Sequence, residues 1–167
     1  MAKTLIKSSI NMNIISNLIE AHIFREQNGK LEFLHLKRSP NEYYPNLWQM
    51  VSGKIKENET ACNAALREIK EETNLTPEKF WVAPTVNSFY SPDKDYICLL
   101  PVFAAKVKYD SKVIICKEHV EYKWVLPEIA KEILAWDGQR KSVDVIVDYF
   151  LNRNSFLNFI EIDLTKF

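Results

Sequence analysis

The sequence offers little sulfur chemistry. Its three cysteines, Cys62, Cys98 and Cys116, are odd in number, widely spaced and form no CxxC. Neither a disulfide framework nor a thiol metal knuckle is indicated, and free thiols in a reducing cytosol are expected. His22, His35 and His119 have no zinc-ligand spacing. Charge of one sign is lacking too: 22 Lys and Arg against 22 Asp and Glu leave a formal net charge of zero. That argues against a broad nucleic-acid-binding or membrane-binding surface. No apolar run approaches the roughly 20 residues of a membrane span, and the opening MAKTLIKSSINMN has no signal-peptide core. Repeats, low-complexity tracts and long linkers are absent. What remains is 167 residues with 47% hydrophobic content, enough for one good core. A single cytoplasmic domain over residues 1–167 is expected, with its core at about 17–152.

Against this even background one stretch stands out. Gly53 to Leu75, GKIKENETACNAALREIKEETNL, carries Glu57, Glu59, Glu68, Glu71 and Glu72. At about 100° per residue, Glu72 lies roughly 40° to one side of Glu68 and Glu71 roughly 60° to the other, so three carboxylates share one helical face. Like charges at such spacings destabilise a helix by a few tenths of a kcal/mol per pair unless a cation intervenes. Ala61, Ala64 and Ala65 point the same way and leave room for a neighbouring strand or loop. Cys62, Leu66 and Ile69 form an adjoining apolar stripe that can anchor the helix on a sheet. Arg67 lies one turn before Glu71, where an i,i+4 ion pair can hold that carboxylate. Carboxylate oxygens are hard ligands, which makes Mg²⁺ the natural occupant and Mn²⁺ a substitute. A solvated acidic face would account for Glu57, Glu59 and Lys70, but not for the whole pattern.

Turn and strand signals organise the rest. Asn17 to Phe24 and Leu31 to Leu36 read as strands around a turn at Gln27-Asn28-Gly29. A loop from Arg38 to Pro45 leads to a short strand at Leu47 to Val51, and Asn58 or Thr60 can cap the acidic helix. Phe80 to Tyr90, Tyr96 to Lys108 and His119 to Val125 are strand candidates. Pro127 to Leu134 and Arg140 to Leu151 read as helices. Elements so mixed suggest an α/β sheet covered on both faces. The tail from Asn154 to Phe167 alternates in part, as a strand would, and finds no place.

The pattern Gly53, five residues, Glu59, seven residues, Arg67-Glu68-Ile69-x-Glu71-Glu72-x-x-Leu75 resembles the Nudix box. It fits every fixed position except Asn74, where the family has glycine. Asn is the next most tolerant residue of a left-handed helix end. The resemblance implies an α/β/α sandwich with a mixed sheet, and metal-assisted attack of water on a diphosphate bridge. It implies Glu68 and Glu72 as metal ligands, Glu71 as a further ligand or as the residue that orients the base, and the Gly53 carbonyl as another ligand. Ser52 is a candidate phosphate contact. Glu118, in Glu118-His119-x-x-Tyr122-x-Trp124, resembles the acid that the dihydroneopterin triphosphate diphosphatase and dATP pyrophosphohydrolase branch brings from outside the box. Glu121 replaces it if the loop register differs, and His119 reads as a structural hydrogen-bonder.

The expected activity is therefore pyrophosphate release from a nucleoside or pterin triphosphate, with Arg67, Glu71 and Glu118 in catalysis. Lys37 and Arg38, at a strand end, are candidate phosphate contacts. Phe89, Tyr90, Tyr96 and Trp136 are candidates for stacking on a ring, with core packing as the commoner fate of such residues. Asp93 and Asp95 lie on a turn that would rim the pocket. Hydrolysis of diadenosine polyphosphates or dNTPs is the alternative, followed by a non-catalytic nucleotide-binding module. The expected partner is a small molecule, with a homodimer left open.

Overall fold

Alternation and turn chemistry set up the first hairpin. The computed structural model describes residues 12–152 and 159–167; it begins with a short strand, β1 (Asn13–Ile15). β2 (Leu18–Gln27) and β3 (Lys30–Arg38) then join through Asn28-Gly29, at φ 53° and 72°, as an Asn-Gly hairpin turn favours. The strand expected at Leu47 to Val51 is two strands. β4 (Trp48–Gln49) pairs with β3, and β5 (Val51–Lys54) pairs with β2. The split has a physical reason. β2 and β3 pair with each other only from Phe24↔Phe33 to Gln27↔Lys30, so beyond that point they diverge and one strand cannot serve both. Met50, buried, sits at the crossover.

α1 (Ala61–Thr73) follows, then β6 (Lys79–Ser91), β7 (Tyr96–Lys106) and β8 (His119–Val125), then α2 (Pro127–Ile133) and α3 (Asp137–Val147). The sheet order is β4-β3-β2-β7-β6, with β1 on β7, β5 on β2 and β8 on β3. β7 runs parallel to β1 and β2, and the other pairs are antiparallel, so the sheet is mixed as expected. The unplaced tail contributes β9 (Ile160–Ile162), which adds to β6 through Phe80↔Ile162; residues 153–158 lie outside the described residues. So do residues 1–11, where most of the signal-peptide reading falls.

Two apolar layers explain the near-continuous burial of β2. Ile19, Ala21 and Ile23 join Ala64, Ala65, Ile69 and Phe103 beneath α1. Phe24 joins Phe33, Val102, Ala130, Val143 and Ile146 beneath α2 and α3. Period-two alternation sends successive residues to opposite faces, and helices cover both. Each fully buried Phe, such as Phe24 or Phe80, stabilises the fold by roughly 1.5–3 kcal/mol. No helix among the described residues is long and apolar enough to cross a membrane.

α3 departs from its expected span of Arg140 to Leu151. It begins three residues earlier and passes at Asp148–Asn152 into a π-helical turn. Gly138 is a poor helix former, yet the close approach of β6 requires it: a Cβ there would lie 2.7 Å from Asn87 Oδ1. Arg140 ties the first turn together through Asp137 and the Leu134 carbonyl.

Where β2 and β3 diverge, His22 and His35 are both fully buried, and none of their four ring nitrogens has a hydrogen-bond partner. Burial, and then His35, pushes the His22 pKa down to about 3. Burial also lowers His35 to about 4, with the Phe33 backbone, too poorly aligned to count as a hydrogen-bond partner, opposing and Lys123 adding to the effect. Both folded values lie below the unfolded one, so the unfolded chain takes up protons first as pH falls. Stability is complete above about pH 6.5 and declines toward pH 4 to 3. Between pH 7 and pH 5 each histidine should cost about 2 kcal/mol. Urea unfolding at the two pH values should show a loss, and His22→Leu should reduce it by about 2 kcal/mol, the share of that one ring.

Candidate active site

The acidic helix is fixed at both ends by local chemistry. Thr60 is the N-cap, its side chain accepting from the Asn63 amide at 3.2 Å. Asn58, the other candidate cap, instead adopts positive φ in the preceding turn. Asn74 closes the helix in the left-handed conformation, φ 58°, its N–H donating to the Lys70 carbonyl. The expected apolar stripe packs as read: Ile69 is buried, and Cys62 and Leu66 pack on the core beside it.

Arg67 organises the carboxylates, and it does so more widely than one i,i+4 pair. Its Nε and Nη2 donate to the two oxygens of Glu59 at 2.8 and 2.9 Å. Nη2 also reaches the Lys54 carbonyl at 2.8 Å, and Nη1 reaches Glu68 Oε1 at 2.6 Å and Glu71 Oε2 at 3.1 Å. The Glu59 contact is bidentate, the strongest geometry a guanidinium offers. Hydrogen bonding from Arg67 accordingly holds the Glu59 pKa down at about 2. In the sequence Glu59 is a fixed position of the box and otherwise fits a solvated face; its eight-residue spacing to Arg67 carries no helical signal for this contact.

Gly53, on β5, lies against the helix. A Cβ there would sit 2.1 Å from Glu68 Cδ and 2.2 Å from Oε1, so only glycine lets strand and carboxylate meet this closely. Glu72 lies deeper. It is 4% exposed, and its Oε2 has no hydrogen-bond partner. Burial, then the charges of Glu68 and Glu118, raises its pKa well above the usual carboxylate range, while the Ser52 backbone and Arg38 oppose the rise.

The segment leading into β8 closes the site. Cys116 N–H donates to the Glu72 carbonyl and Ile114 N–H to that of Thr73, which occupies carbonyls left free at the helix end. This ties Glu118 near Glu72, and Ser39 N–H holds the Glu118 carbonyl at 2.8 Å. Glu121 points elsewhere, 3.6 Å from Lys37 Nζ. His119, buried, has Nε2 3.7 Å from Glu72 Oε2 and 3.4 Å from Gln49 Nε2. Burial, then Arg38, lowers its pKa to about 4.

The candidate residues are thus only partly gathered. Gly53, Arg67, Glu68, Glu71, Glu72, Glu118 and Arg38 belong to one neighbourhood, and Ser52 enters it through its backbone. Lys37 does not join: its ammonium lies by Glu121 and 5.8 Å from the Trp48 ring centroid. Among the described residues no three His, Cys, Asp or Glu side chains already meet as a metal-ligand cluster, since Arg67 engages Glu68 and Glu71 while Glu72 Oε2 stands free. That orphaned, buried oxygen fits a hard divalent cation. A cation would supply the counter-charge that Glu72 lacks, and the carboxylates of Glu68 and Glu118 stand close enough for their charges to act on it. The stacking candidates are not core: Phe89, Tyr90 and Trp136 are exposed, Tyr96 is half-buried, and Trp136 meets Tyr44 edge-on at 5.2 Å.

The Gly53 contact can be tested directly. Gly53→Ala should cost about 1–3 kcal/mol, because the Glu68 side chain must swing aside. It should also break the Arg67–Glu68 ion pair. Thermal denaturation and a structure of the variant would show both effects, and an unmoved Glu68 would contradict the close approach.

Residues 20–146 match the NUDIX domain family. The chain is 33% identical over 113 residues to the asymmetrical bis(5'-nucleosyl)-tetraphosphatase of Caenorhabditis elegans, covering 66% of this chain and 79% of that protein. It is 26% identical over 124 residues to the dihydroneopterin triphosphate diphosphatase of Escherichia coli K12, covering 62% and 77%. Among solved structures, a C. elegans Ap4A hydrolase binary complex superposes with a TM-score of 0.68 at 26% identity, covering 81% of this chain and 96% of that one. A box read at the level of single residues, a mixed sheet between helices and a family match over most of the length agree: the chain belongs to the Nudix family and is a hydrolase acting on phosphorus-containing anhydrides.

Proposed function

We propose that the protein is a Mg²⁺-dependent pyrophosphohydrolase that cleaves a nucleoside or pterin triphosphate between the α and β phosphates and releases pyrophosphate. The observation that carries this reading is the Glu72 carboxylate. It is buried with one oxygen unpartnered, beside a glycine that touches Glu68 and an arginine that spans the remaining box acids. A buried, partnerless carboxylate costs free energy that a fold without a use for it would not carry.

Glu68, Glu72, Glu118 and the Gly53 carbonyl are the residues that would hold the cation, with Glu71 as a further ligand or as the group that orients the base. Mn²⁺ would serve in place of Mg²⁺. When bound, such a cation screens phosphate charge and lowers the pKa of water toward neutrality. The chain's own residues do the positioning. Arg67 keeps Glu68 and Glu71 oriented, and Arg38 and Ser52 are the groups that would contact phosphate oxygens. Lys37 is left out of this set by its position beside Glu121.

A second reading, asymmetric cleavage of a dinucleoside tetraphosphate, is favoured by the likeness to the C. elegans tetraphosphatase. The likeness to the E. coli dihydroneopterin triphosphate diphosphatase and the motif around Glu118 favour the first.

A panel of dihydroneopterin triphosphate, dNTPs and Ap4A with Mg²⁺, scored by product, separates the readings. Pyrophosphate with a monophosphate product is expected, and a higher kcat/KM on Ap4A with ATP and AMP as products would favour the second reading. Glu72→Gln should lower kcat by about 100-fold or more while leaving the folding midpoint equal or higher, because it removes an uncompensated buried charge. Full turnover in that variant would point to nucleotide chemistry elsewhere, and no turnover by the unaltered protein would point to a binding module.

A further inference from the structure

A line of polar groups, buried at Gln49 and His119 and half-buried at its Arg38 and Cys116 ends, runs beneath the site, and only Arg38 has a role above. Arg38 Nη1 lies 3.4 Å from Gln49 Oε1, Gln49 Nε2 lies 3.4 Å from His119 Nε2, and His119 Nδ1 lies 3.7 Å from Cys116 Sγ. Gln49 and His119 are 6% and 4% exposed, so water does not substitute for these partners.

The direction of each bond follows from the first. A guanidinium has only donors, so the group facing Arg38 must be the amide oxygen of Gln49. The amide NH₂ is then turned toward His119, and the ring nitrogen it faces must accept. In a neutral imidazole the proton therefore sits on Nδ1, from which it donates to the Cys116 sulfur. All donors point the same way, from β3 through β4 to the segment that carries Glu118.

We propose that Gln49 is a positioning residue, holding Arg38 in place through a one-way hydrogen-bond chain, Arg38 to Gln49 to His119 to Cys116, that fixes His119 as the Nδ1–H tautomer. Two consequences follow. Arg38 is anchored on one side by Gln49 and on the other by the Tyr43 carbonyl and Glu42, 3.6 Å away. And His119 directs a lone pair, not a proton, toward its neighbours, so Glu72 Oε2 at 3.7 Å receives nothing from it and stays available as a ligand.

The kinetic part of this inference rests on the proposed phosphate-binding role of Arg38, and the tautomer does not. ¹⁵N-labelled imidazole resonances, read by long-range ¹H–¹⁵N correlation at neutral pH and assigned with a His119→Gln variant, should show His119 protonated on Nδ1. Gln49→Glu keeps an acceptor for Arg38 but removes the NH₂, so the ring should switch to Nε2–H. Gln49→Leu should raise KM for the cleaved triphosphate about 10-fold with kcat little changed, because only the anchoring of a binding group is lost. A wild-type Nε2–H tautomer would overturn the chain, as would a ring unaffected by Gln49→Glu. An unchanged KM in a folded Gln49→Leu variant would overturn the positioning role. Should that variant fail to fold, the wild-type and Gln49→Glu spectra still decide the chain. A protein that cleaves nothing on the panel but shows the predicted tautomer would refute the proposed function and leave the hydrogen-bond chain standing.

Discussion

Arg67 holds Glu59, Glu68 and Glu71 and a strand carbonyl with one guanidinium. Carboxylates this close on a helix repel one another by a few tenths of a kcal/mol per pair, whereas a hydrogen bond to a charged group contributes about 1.5–3 kcal/mol before solvent screening. The guanidinium wins, and its placement decides the rest. It joins the turn before the helix to the helix itself, brings the Lys54 carbonyl of β5 against α1, and leaves Glu72 as the box acid it does not bind.

Burial of Glu72 would be untenable on an open helix face. It is achieved because the segment before β8 docks on the end of α1 by backbone hydrogen bonds from Ile114 and Cys116, closing over the carboxylate. The same docking delivers Glu118. Helix termination, acid burial and supply of the outside acid are thus one arrangement, and Asn74 in the left-handed conformation turns the chain so that it can form.

Much of this was legible in the sequence. Helical arithmetic located Glu68, Glu71 and Glu72 on one face, the alanines beside them marked room for a neighbouring strand, and Asn74 was readable as a helix end. Strand existence was readable from β-branched and aromatic density. What stayed hidden depends on long-range pairing. The crossover at Met50 follows from the divergence of β2 and β3, which no local pattern encodes. Glu59 and Arg67 meet only because the turn at Asn58 folds one toward the other. Lys37 and Arg38 look equivalent as neighbours at a strand end, yet the register shift between them and the pull of Glu121 separate them. The start of α3 was missed because Gly138 answers to Asn87 across the interface, not to helix propensity.

The crossover at Met50 also makes the site a mechanical property of the sheet. Gln49 rides on β3 and Gly53 rides on β2, so the Arg38 side and the Glu68 side of the site are carried by two strands that are not bonded to each other there. Their separation is set by the angle of the fork, which the buried side chains at its apex hold open. The spacing between the Arg38 side and the Glu68 side of the site is therefore gauged from inside the protein, by buried residues such as His22 and His35.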